Sequence, residues 1–529
     1  MSDEFTPEER HALAPYFTNL DGPVFALVNL PEVVKGALFA RYSRSPKSLR
    51  RLFLDEFRND ARETASGSPA APGTRRAEEL YERVFVEYGD DSVAQLGGVH
   101  LACEGASNLL TKLLEWGRLM AYLEQSTRYI AYDDRPHGRY RYHVPAELGG
   151  ALRERYVATL DRAFETYSAW LPKLRDLYTA RFPRSAGESE PVYRATIRAK
   201  ALDTLRGLLP AATISNVGIY GTGQAYEQLL LRLRAHPLAE ARAYAGLMLV
   251  ELRKVIPAFL RRVDVEDRGI AWSAYLAEAR ARTEEAAARV LAGLAPEPRP
   301  EVVLTDWDPD GEVKVVAAAL YAASTLPDDQ LLAAARAMTA DERAAVLAAY
   351  IGKRRNRRHR PGRAFERTTY RFDVLGDYGA FRDLQRHRLL TLEWQRLSPR
   401  HGSVMPEAVA EAGARGDWDR VLEESAALHD AVLAAGHVET APYAISMAYR
   451  VRFYMEMNAR EAMHVIELRT APQGHPAYRR ICQEMHRLIA EGAGHRAIAE
   501  AMTFADHSQV ALERLEAERA AERRREAAR

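Results

Sequence analysis

Four residues in one short segment could together hold a nucleotide. In Tyr122-Leu-Glu-Gln-Ser-Thr-Arg-Tyr129, Glu124 can accept hydrogen bonds, Gln125 and Ser126 can donate and accept, and Arg128 carries a fixed fork of donors. Arg128 and nearby main-chain N–H groups suit a phosphate, and the carboxylate of Glu124 suits a sugar or base edge. The alternative interpretation is an ordinary helix-end cap with a surface arginine.

A second polar cluster, Gln385-Arg-His-Arg-Leu-Leu-Thr391, follows a helix predicted to begin near Tyr378. On a regular helix Arg386 and Arg388 would diverge by about 200°, because each residue turns the chain by about 100°. They can converge on one anion only where the helix ends or distorts. A solvated basic stripe is the alternative interpretation.

The third cluster, Asn458-Ala-Arg-Glu461, reads as a capping box that starts a helix reaching Arg469. Free N–H groups and Arg460 in the first turn make this helix end attractive to a phosphate. Arg469 lies three turns further on the same face, about 16 Å along the axis at 1.5 Å per residue. The alternative is a well-capped amphipathic helix whose last arginine complements the helix dipole.

The densest basic run is residues 353–363, KRRNRRHRPGR. It could bind nucleic acid through phosphates, but no aromatic platform accompanies it. A solvated connecting segment or a phosphate-facing loop is favoured over nucleic-acid binding. The whole chain has 74 Lys+Arg against 73 Asp+Glu, so its global charge identifies no partner.

Several common classes of site are not expected. Cys103 and Cys482 have no metal-ligand spacing and lie in apolar helical context, so we expect structural cysteines, no zinc site and no disulfide scaffold. No nucleophile-elbow, Walker A, HExxH or complete GxGxxG motif is present. The N-terminus has no apolar signal region, and no apolar run reaches the ~18 residues of a membrane span. We therefore expect a soluble, cytoplasmic protein.

A chain of 529 residues is too long for one ordinary hydrophobic core. Three alternate prolines in residues 295–300, APEPRP, predict a stiff linker between two domains, 1–294 and 301–510. Residues 511–529 are charged throughout and predict a solvated or partner-facing helical tail. We predict a helix-rich α+β architecture with two halves of the same coarse order.

The elements expected to position these clusters follow from apolar spacing. Apolar or β-rich starts are predicted at residues 24–30 and 312–317, and short strands at 140–144 and 368–372. Helices are predicted at residues 33–40, 109–123, 330–351 and 458–469.

Taken together, the clusters resemble the flavin-dependent thymidylate synthase family. Its hallmarks are an Arg-His-Arg triplet, a serine soon after, a Glu-x-Ser-x-Arg-Tyr loop, and an Asn-Ala-Arg helix start closed by an arginine. The first half keeps the loop, with Tyr129, and also Ala40-Arg-Tyr-Ser43, Arg206 and Arg232. It has Trp116-Gly-Arg118 for the triplet, Ala121 for the serine, and Gly221-Thr-Gly223 for Asn-Ala-Arg.

The second half keeps what the first has lost. It has the Arg386-His-Arg388 triplet, with Thr391 at the serine position, and Phe365-Glu366 upstream. It also keeps Asn458-Ala-Arg460 and Arg469, whereas its nucleotide loop is altered to residues 393–400, EWQRLSPR, and Pro442 stands where the first half has Arg206.

The resemblance implies FAD as cofactor, NADPH and methylenetetrahydrofolate as cosubstrates, and reductive methylation of dUMP to dTMP. The family is homotetrameric with sites between subunits, so a homodimer of tandem chains would form a pseudo-tetramer with composite sites between halves or chains. The implied FAD contacts are Arg386, His387, Arg388, Asn458, Arg460 and Glu366. The implied dUMP contacts are Glu124, Gln125, Ser126, Arg128, Arg469, Arg206 and Arg232. No catalytic residue is assigned beyond Thr391 at the serine position.

Two other functions stay open from the sequence. A degenerate paralogue would bind flavin or nucleotide without turnover. A nucleic-acid-binding protein would use the basic run 353–363.

Overall fold

The computed structural model describes residues 5–22, 25–42, 47–58, 95, 97–128, 130–185, 189–510, 512, 515 and 519. Val24, Ser43, Tyr129 and most of the tail predicted at 511–529 lie outside the described residues. The fold is helix-rich α+β, as predicted. Contacts divide the chain into two compact units, the first made of residues 1–106, 113–124 and 216–294 and the second of residues 107–112, 125–215 and 295–529.

The first unit contains a small sheet in the strand order β1-β3-β2. Strand β2 pairs antiparallel with β3, from Met120 opposite Gly221 to Glu124 opposite Val217. Its elements are α1 (Pro7–Leu13), α2 (Glu32–Tyr42), α3 (Leu49–Leu52), β1 (Gly98–Ser107), part of α4 (Asn108–Leu114), β2 (Met120–Glu124) and most of β3 (Ile214–Thr222). The helices of this unit that follow β3 are α7 (Gly223–Arg234), α8 (Ala239–Arg253) and α9 (Ala271–Val290).

The second unit contains a four-stranded sheet in the order β4-β5-β7-β6. Strand β7 alternates buried and half-buried residues along its length, so one face packs on the core. Its strands are β4 (Val302–Trp307), β5 (Thr369–Asp377), β6 (Thr391–Trp394) and β7 (Arg450–Asn458). Its helices are α5 (Gly150–Arg181), α6 (Glu190–Leu205), α10 (Gly311–Tyr321), α11 (Asp328–Ala337), α12 (Ala340–Ile351), α13 (Tyr378–Leu384), α14 (Glu407–Glu411), α15 (Arg415–Ala434), α16 (Ala459–Arg469), α17 (Pro476–Arg487) and α18 (Arg496–Glu500).

Within the second unit, a segment from before residue 295 pairs with one from after it. Residues 207–212 run antiparallel to residues 443–448, with Pro210 bridged to Ser446. The hydrogen bonds come in matched pairs: Ala211 N to Ile445 O (2.8 Å) with Met447 N to Leu209 O (2.9 Å), and Ala212 N to Tyr443 O (3.1 Å) with Ala448 N to Gly207 O (3.0 Å). Within each pair of bonds, each residue from before residue 295 has its counterpart 236 residues later in the other bond (447 − 211 and 445 − 209).

The same spacing relates larger elements. Strand β3 starts at Ile214 and β7 at Arg450, again 236 apart (450 − 214), and a helix follows each strand directly. Glu124 pairs with Val217 as Trp394 pairs with Phe453, so the β2–β3 and β6–β7 registers are equivalent.

The structure corrects several predicted elements. Residues 312–317, predicted to be β-rich, lie in α10, because the alternation is short and runs into the helix-favouring Ala318, Ala319 and Leu320. The predicted helix 109–123 stops at Leu114 and becomes strand β2. The helix predicted at 330–351 is two helices, since Thr339 caps a new start. Residues 140–144 form only an isolated bridge at Tyr142.

Other elements are confirmed: a helix covers residues 33–40, strand β5 covers most of 368–372, and helices begin at Tyr378 and directly after Asn458. Among the described residues, none of the helices combines the length and apolarity needed to cross a bilayer.

Candidate functional site

Four arginines surround one buried carboxylate in the second unit. Asp383, in the last turn of α13, is hydrogen bonded by Arg386, and its oxygens lie 3.6 Å from Arg206 Nη1 and 3.8 Å from Arg469 Nη1. Burial alone would raise the pKa of Asp383, but these arginines and Arg128 hold it well below its ordinary value. We call Arg128, Arg206, Arg386 and Arg469 around Asp383 the Asp383 cluster.

Arg128 is held in place by a second carboxylate. Its Nε donates to both oxygens of Asp203 at 2.9 Å, and its Nη2 donates to one of them at 2.6 Å. Its Nη1 reaches Gln473 O at 3.2 Å and Tyr478 Oη at 3.4 Å. Sequence reasoning found Arg128 but missed Asp203, because the two are 75 residues apart and no local pattern joins them.

Within the Asp383 cluster, Arg206 has unused hydrogen-bonding capacity. Only 4% of its surface is exposed, yet no described atom accepts a hydrogen bond from its Nη2. A buried guanidinium donor without a partner is costly, so this atom points to an anionic ligand. Gly379 leaves space for the Arg206 side chain, because a Cβ at residue 379 would lie 3.0 Å from Arg206 Nε.

The charges in this region do not cancel. Four guanidinium groups face the carboxylates of Asp383 and Asp203, and the carboxyl group of Asp377, whose pKa is raised by burial, also lies near Arg206, so the arginines outnumber the carboxyl groups. The neighbouring His475 adds no positive charge, because burial, Arg206 and Arg128 lower its pKa well below the ordinary value. A phosphate group, which is an anion, suits this excess of positive charge.

His387 contacts Arg469 of the Asp383 cluster. Its Nε2 accepts a hydrogen bond from Arg469 Nε at 2.9 Å, and its Nδ1 is 3.7 Å from a Glu461 oxygen. Burial, with Arg469 and other neighbouring cations, lowers the pKa of His387 well below its ordinary value, so the ring is neutral. His387 therefore positions Arg469.

A second group of arginines gathers around His464 on α16. Arg360 Nη2 lies 2.9 Å from His464 Nδ1, and Arg460 donates to Pro361 O at 2.9 Å. Arg357 and Arg388 lie close enough to act on His464 electrostatically. We call Arg357, Arg360, Arg388 and Arg460 around His464 and Glu461 the His464 cluster.

The pKa values of Glu461 and His464 in the His464 cluster are shifted in the direction that favours the neutral form of each side chain. Burial raises the pKa of Glu461 to about 7, although Arg360, Arg460 and Arg388 oppose this. Burial, and then Arg360 and Arg357, lower the pKa of His464 to about 4. The arginines therefore dominate the charge of the cluster near neutral pH.

Ligand atoms of His387, Glu461 and His464 lie within 4.8 Å of one another, which is close enough for a metal ion. The neighbouring side chains disfavour a bound metal ion. A nitrogen of each histidine contacts an arginine, Arg469 for His387 and Arg360 for His464, and the nearby guanidinium groups repel a divalent cation. This group of residues suits an anion better than a metal.

Comparison with known proteins assigns the family. The family model described as thymidylate synthase complementing protein matches the chain twice, at residues 37–258 and 302–493. The chain belongs to this family. It is the flavin-dependent thymidylate synthase family, so the resemblance found in the sequence is confirmed.

Relatives span nearly the whole chain. A UPF0159 protein of Chlamydia pneumoniae is 37% identical over 98% of this chain and 98% of its own length. A UPF0159 protein of Thermoplasma acidophilum is 29% identical over 92% of this chain and 97% of its own. Among solved structures, a UMP/dUMP methylase from Streptomyces cacaoi bound with 5-Br dUMP covers 38% of this chain and 93% of its own, at 18% identity and a TM-score of 0.30.

The remaining residues suggested by the family motifs are placed as follows. Ser126 Oγ accepts from Arg128 N at 3.3 Å, and Gln125 O accepts from Ser215 Oγ at 3.3 Å, so both shape the turn that carries Arg128. Thr391 is exposed at the start of β6.

Glu124 and Arg232 belong to the first unit. Glu124 is buried at the end of β2, and the Arg232 guanidinium lies 5.3 Å from the Trp116 ring centroid. The 236-residue spacing makes Leu233, not Arg232, the counterpart of Arg469 (469 − 236).

The helix start predicted at Asn458 is half a capping box. Asn458 Oδ1 accepts from Glu461 N at 2.9 Å. The Glu461 carboxylate does not return to the Asn458 backbone but faces His387. Glu366, predicted to contact the cofactor, lies 3.3 Å from Arg460 Nη1 and 2.9 Å from Arg363, and so orients Arg460.

A cavity of about 480 Å³ adjoins the Asp383 cluster. Asp203 and His475 line it, together with the parallel rings of Tyr178 and Phe182 and the side chain of Lys200. Its volume lies in the range of small-molecule sites.

Proposed function

We propose that the chain is an FAD-dependent thymidylate synthase-like enzyme that methylates a pyrimidine nucleoside monophosphate, dUMP being the expected substrate. The observation that carries this proposal is the Asp383 cluster, and within it the buried Arg206 Nη2 without a hydrogen-bond acceptor. A phosphate oxygen would satisfy that donor and offset the excess positive charge.

We further propose that the active site is shared by two tandem repeats. The family model matches twice, and the two halves share strand registers. Arg128 and Arg206 come from the first half, whereas Arg386 and Arg469 come from the second, and all four act on Asp383. Each half supplies what the other has lost, so neither repeat would bind the nucleotide alone.

The His464 cluster fits a cofactor that carries phosphate groups, as FAD does. Arg388 and Arg460 would hold it beside the capped start of α16. When bound, FAD reduced by NADPH would supply the reducing equivalents for transfer of the methylenetetrahydrofolate carbon to C5 of dUMP.

The chain's own contribution is positioning and charge. Arg128 and Arg206 would bind the nucleotide phosphate, with Asp203 holding Arg128 in a fixed direction. Arg386 and Arg469 extend the positive surface, and neutral His387 fixes the Nε of Arg469. Because Arg206 is buried and the other three arginines are half-buried and held by their partners, they need little rearrangement when an anion binds.

The test uses two arginine variants and two measurements. Purified protein should show flavin absorbance and should form dTMP from dUMP when NADPH and methylenetetrahydrofolate are supplied. Arg206→Gln should weaken dUMP binding at least about tenfold and leave flavin bound, as expected for one lost charged hydrogen bond. Arg198→Gln, an exposed position on α6, is the matched control and should bind dUMP normally.

Flavin and dUMP binding without turnover would identify a degenerate paralogue instead. Protein that binds neither flavin nor dUMP would contradict the proposal. Steeply salt-dependent RNA binding without flavin would favour the nucleic-acid alternative.

The assembly proposed is a dimer of tandem chains, equivalent to four family domains. Light scattering should then give twice 59.4 kDa. A monomeric mass would contradict the dimer and leave the shared site within one chain.

A further inference from the structure

Three arginines of the first unit line a cavity of about 300 Å³, which we call the first-unit cavity. Arg234 is the last residue of α7, Arg242 lies in the first turn of α8, and Arg280 lies on α9. The end of α7, the turn before α8 and one face of α9 therefore form its walls. Its volume is at the lower end of the range of small-molecule sites.

Arg242 is held at the wall of the first-unit cavity by the turn between α7 and α8. Its Nη1 donates to His236 O at 2.8 Å and to Pro237 O at 2.6 Å, and both of these residues line the cavity. Within the described part of the chain, no atom accepts a hydrogen bond from its Nε or Nη2. A guanidinium group has five N–H donors, so most of those of Arg242 remain for a ligand.

Arg234 and Arg280 are not neutralised by neighbouring carboxylates. Among the residues that the structure describes, neither guanidinium group has a hydrogen-bond acceptor or an ion-pair partner. The pKa of Asp264 is lowered by hydrogen bonds from Arg253 and, to a smaller extent, by Arg234, but both Asp264 oxygens already accept from Arg253, at 2.7 and 2.5 Å. Of the residues that line the cavity, only Glu284 carries a carboxylate, so positive charge is in excess there.

The first-unit cavity lies at a helix corner that both repeats possess. The 236-residue spacing makes Pro237 the counterpart of Gln473 and Arg242 the counterpart of Tyr478 (473 − 237 and 478 − 242). In the second unit, Gln473 O and Tyr478 Oη both accept hydrogen bonds from Arg128 of the Asp383 cluster. The corner thus adjoins a group of arginines in both repeats, but in the first repeat it supplies those arginines itself.

We propose that the first-unit cavity binds the phosphate group of a small phosphorylated metabolite through Arg234, Arg242 and Arg280. Guanidinium groups bind phosphate oxygens in pairs and stay charged at every physiological pH. Ala277 and Ala281 leave space for the rest of the ligand, because their side chains end at Cβ. A concave site of this size encloses one phosphate group, whereas a nucleic acid would need a groove along its backbone.

The experiment is calorimetric titration of the full-length protein with ribose 5-phosphate. The reference protein is Arg206→Gln, because this change removes the unpaired donor of the Asp383 cluster and weakens phosphate binding there. The reference should still bind ribose 5-phosphate at one site per chain, and inorganic phosphate should compete. Ribose, which has the same sugar without the phosphate, should not bind.

Variants made in the Arg206→Gln protein locate the site. Adding Arg234→Gln and Arg280→Gln should weaken ribose 5-phosphate binding by at least about tenfold, as expected for the loss of charged hydrogen bonds. Adding Arg289→Gln instead is the matched control, because Arg289 is an exposed arginine of α9 that does not line the cavity. Unchanged thermal unfolding would show that each variant keeps its fold.

Three results would overturn the proposal. Equal affinity with and without the two added changes would place the phosphate elsewhere, and an equal loss in the Arg289→Gln protein would reflect net charge alone. A reference protein that binds no ribose 5-phosphate, but loses steeply salt-dependent RNA binding with Arg234→Gln and Arg280→Gln, would assign these arginines to nucleic acid. The proposed function would stand in each case, because flavin and dUMP binding are measured separately and involve other arginines.

Discussion

At the scale of single residues, Asp383 controls the charge of the proposed nucleotide site. Its carboxylate neutralises part of the positive charge of four converging guanidinium groups in the interior of the unit. The carboxylate therefore has opposite effects on folding and on anion binding. It holds the arginines together in the free protein, and it competes with a phosphate for the same donors.

Asp383→Asn should reveal both effects. The free protein should lose about 3–5 kcal/mol of stability, because breaking a buried ion pair leaves uncompensated charge. Phosphate or dUMP should then raise the melting temperature of the variant more than that of wild type. Asp306→Asn, in exposed strand β4, is the control for the substitution itself. Equal melting temperatures with and without anion in the variant would refute this role.

Glu461 gives a pH-dependent prediction. Its pKa is raised from 4.5 to about 7 in the folded state. The stabilisation is therefore full below pH 4.5 and is lost as pH rises to 7, because the unfolded chain ionises first. The variant Glu461→Gln retains the neighbouring charged and titratable groups, Arg360, Arg460, Arg388 and His387. A comparison with wild type therefore reports on the Glu461 carboxyl group.

Relative to wild type, Glu461→Gln should gain stability on going from pH 4.5 to pH 8. The gain should be on the order of 2–3 kcal/mol, at 1.36 kcal/mol per unit of pKa shift. Denaturant unfolding at the two pH values measures it. A difference between the two proteins that does not change with pH would show that Glu461 ionises normally.

At the scale of elements, the buried salt bridge between Arg354 of the basic run and Glu467 of α16, which we call the Arg354–Glu467 anchor, should matter more than surface ion pairs. Glu467→Gln leaves Arg354 buried without a counter-charge and should cost about 3–5 kcal/mol. Replacing both, as Arg354→Met/Glu467→Leu, should cost less because no charge is left buried. Glu484→Gln, which breaks the solvent-exposed pair with Arg487, should cost far less, because water and salt screen that pair. Equal costs for Glu467→Gln and Glu484→Gln would contradict a buried anchor.

Elements that begin at a residue with a local capping contact could be predicted from the sequence. Asn458 caps α16 through a contact three residues away, which a sequence pattern can show. Residues 312–317 misled the prediction, because a short Val-rich alternation is common to a strand and to the buried face of a helix. Val315 and Val316 are buried in α10, where packing decided the outcome.

For the candidate site, the sequence predicted the arginines but neither their grouping nor their carboxylate partners. The family motifs supplied Arg128, Arg386 and Arg469, but they did not show which would lie together. The structure places Arg386 with the predicted substrate residues and Arg388 in the other cluster, so the triplet is split. Asp203 and Asp383 were missed because their importance depends on contacts distant in sequence.

At the scale of the whole molecule, the sequence halves and the compact units are different divisions. The linker at 295–300 separates the two family-model matches, and Leu294 also ends the first unit. Residues 125–215 nevertheless form contacts with residues after 295 inside the second unit. The matched hydrogen bonds between 207–212 and 443–448 are what a two-fold relation of repeats would produce.

This arrangement predicts how the protein responds to a cut in the linker. Residues 291–300 are all exposed, so a protease site placed there should be cleaved in the folded protein. The two fragments should stay together. Trp170 donates to Asp417 at 2.8 Å and Arg162 to Glu424 at 2.8 Å, and these add to the strand pairing.

Cleaved protein should therefore elute from a sizing column at the volume of the intact protein and should separate only in denaturant. Its dUMP affinity should be unchanged, because Arg128 and Arg206 remain beside Asp383 after the cut. Gly207→Val tests the cause independently. A Cβ at this position would lie 2.7 Å from Trp418 and 3.1 Å from Ala448, so the bulkier side chain should loosen the fragments after cleavage. Fragments of the otherwise unaltered protein that separate on cleavage would show that the two halves do not build one unit.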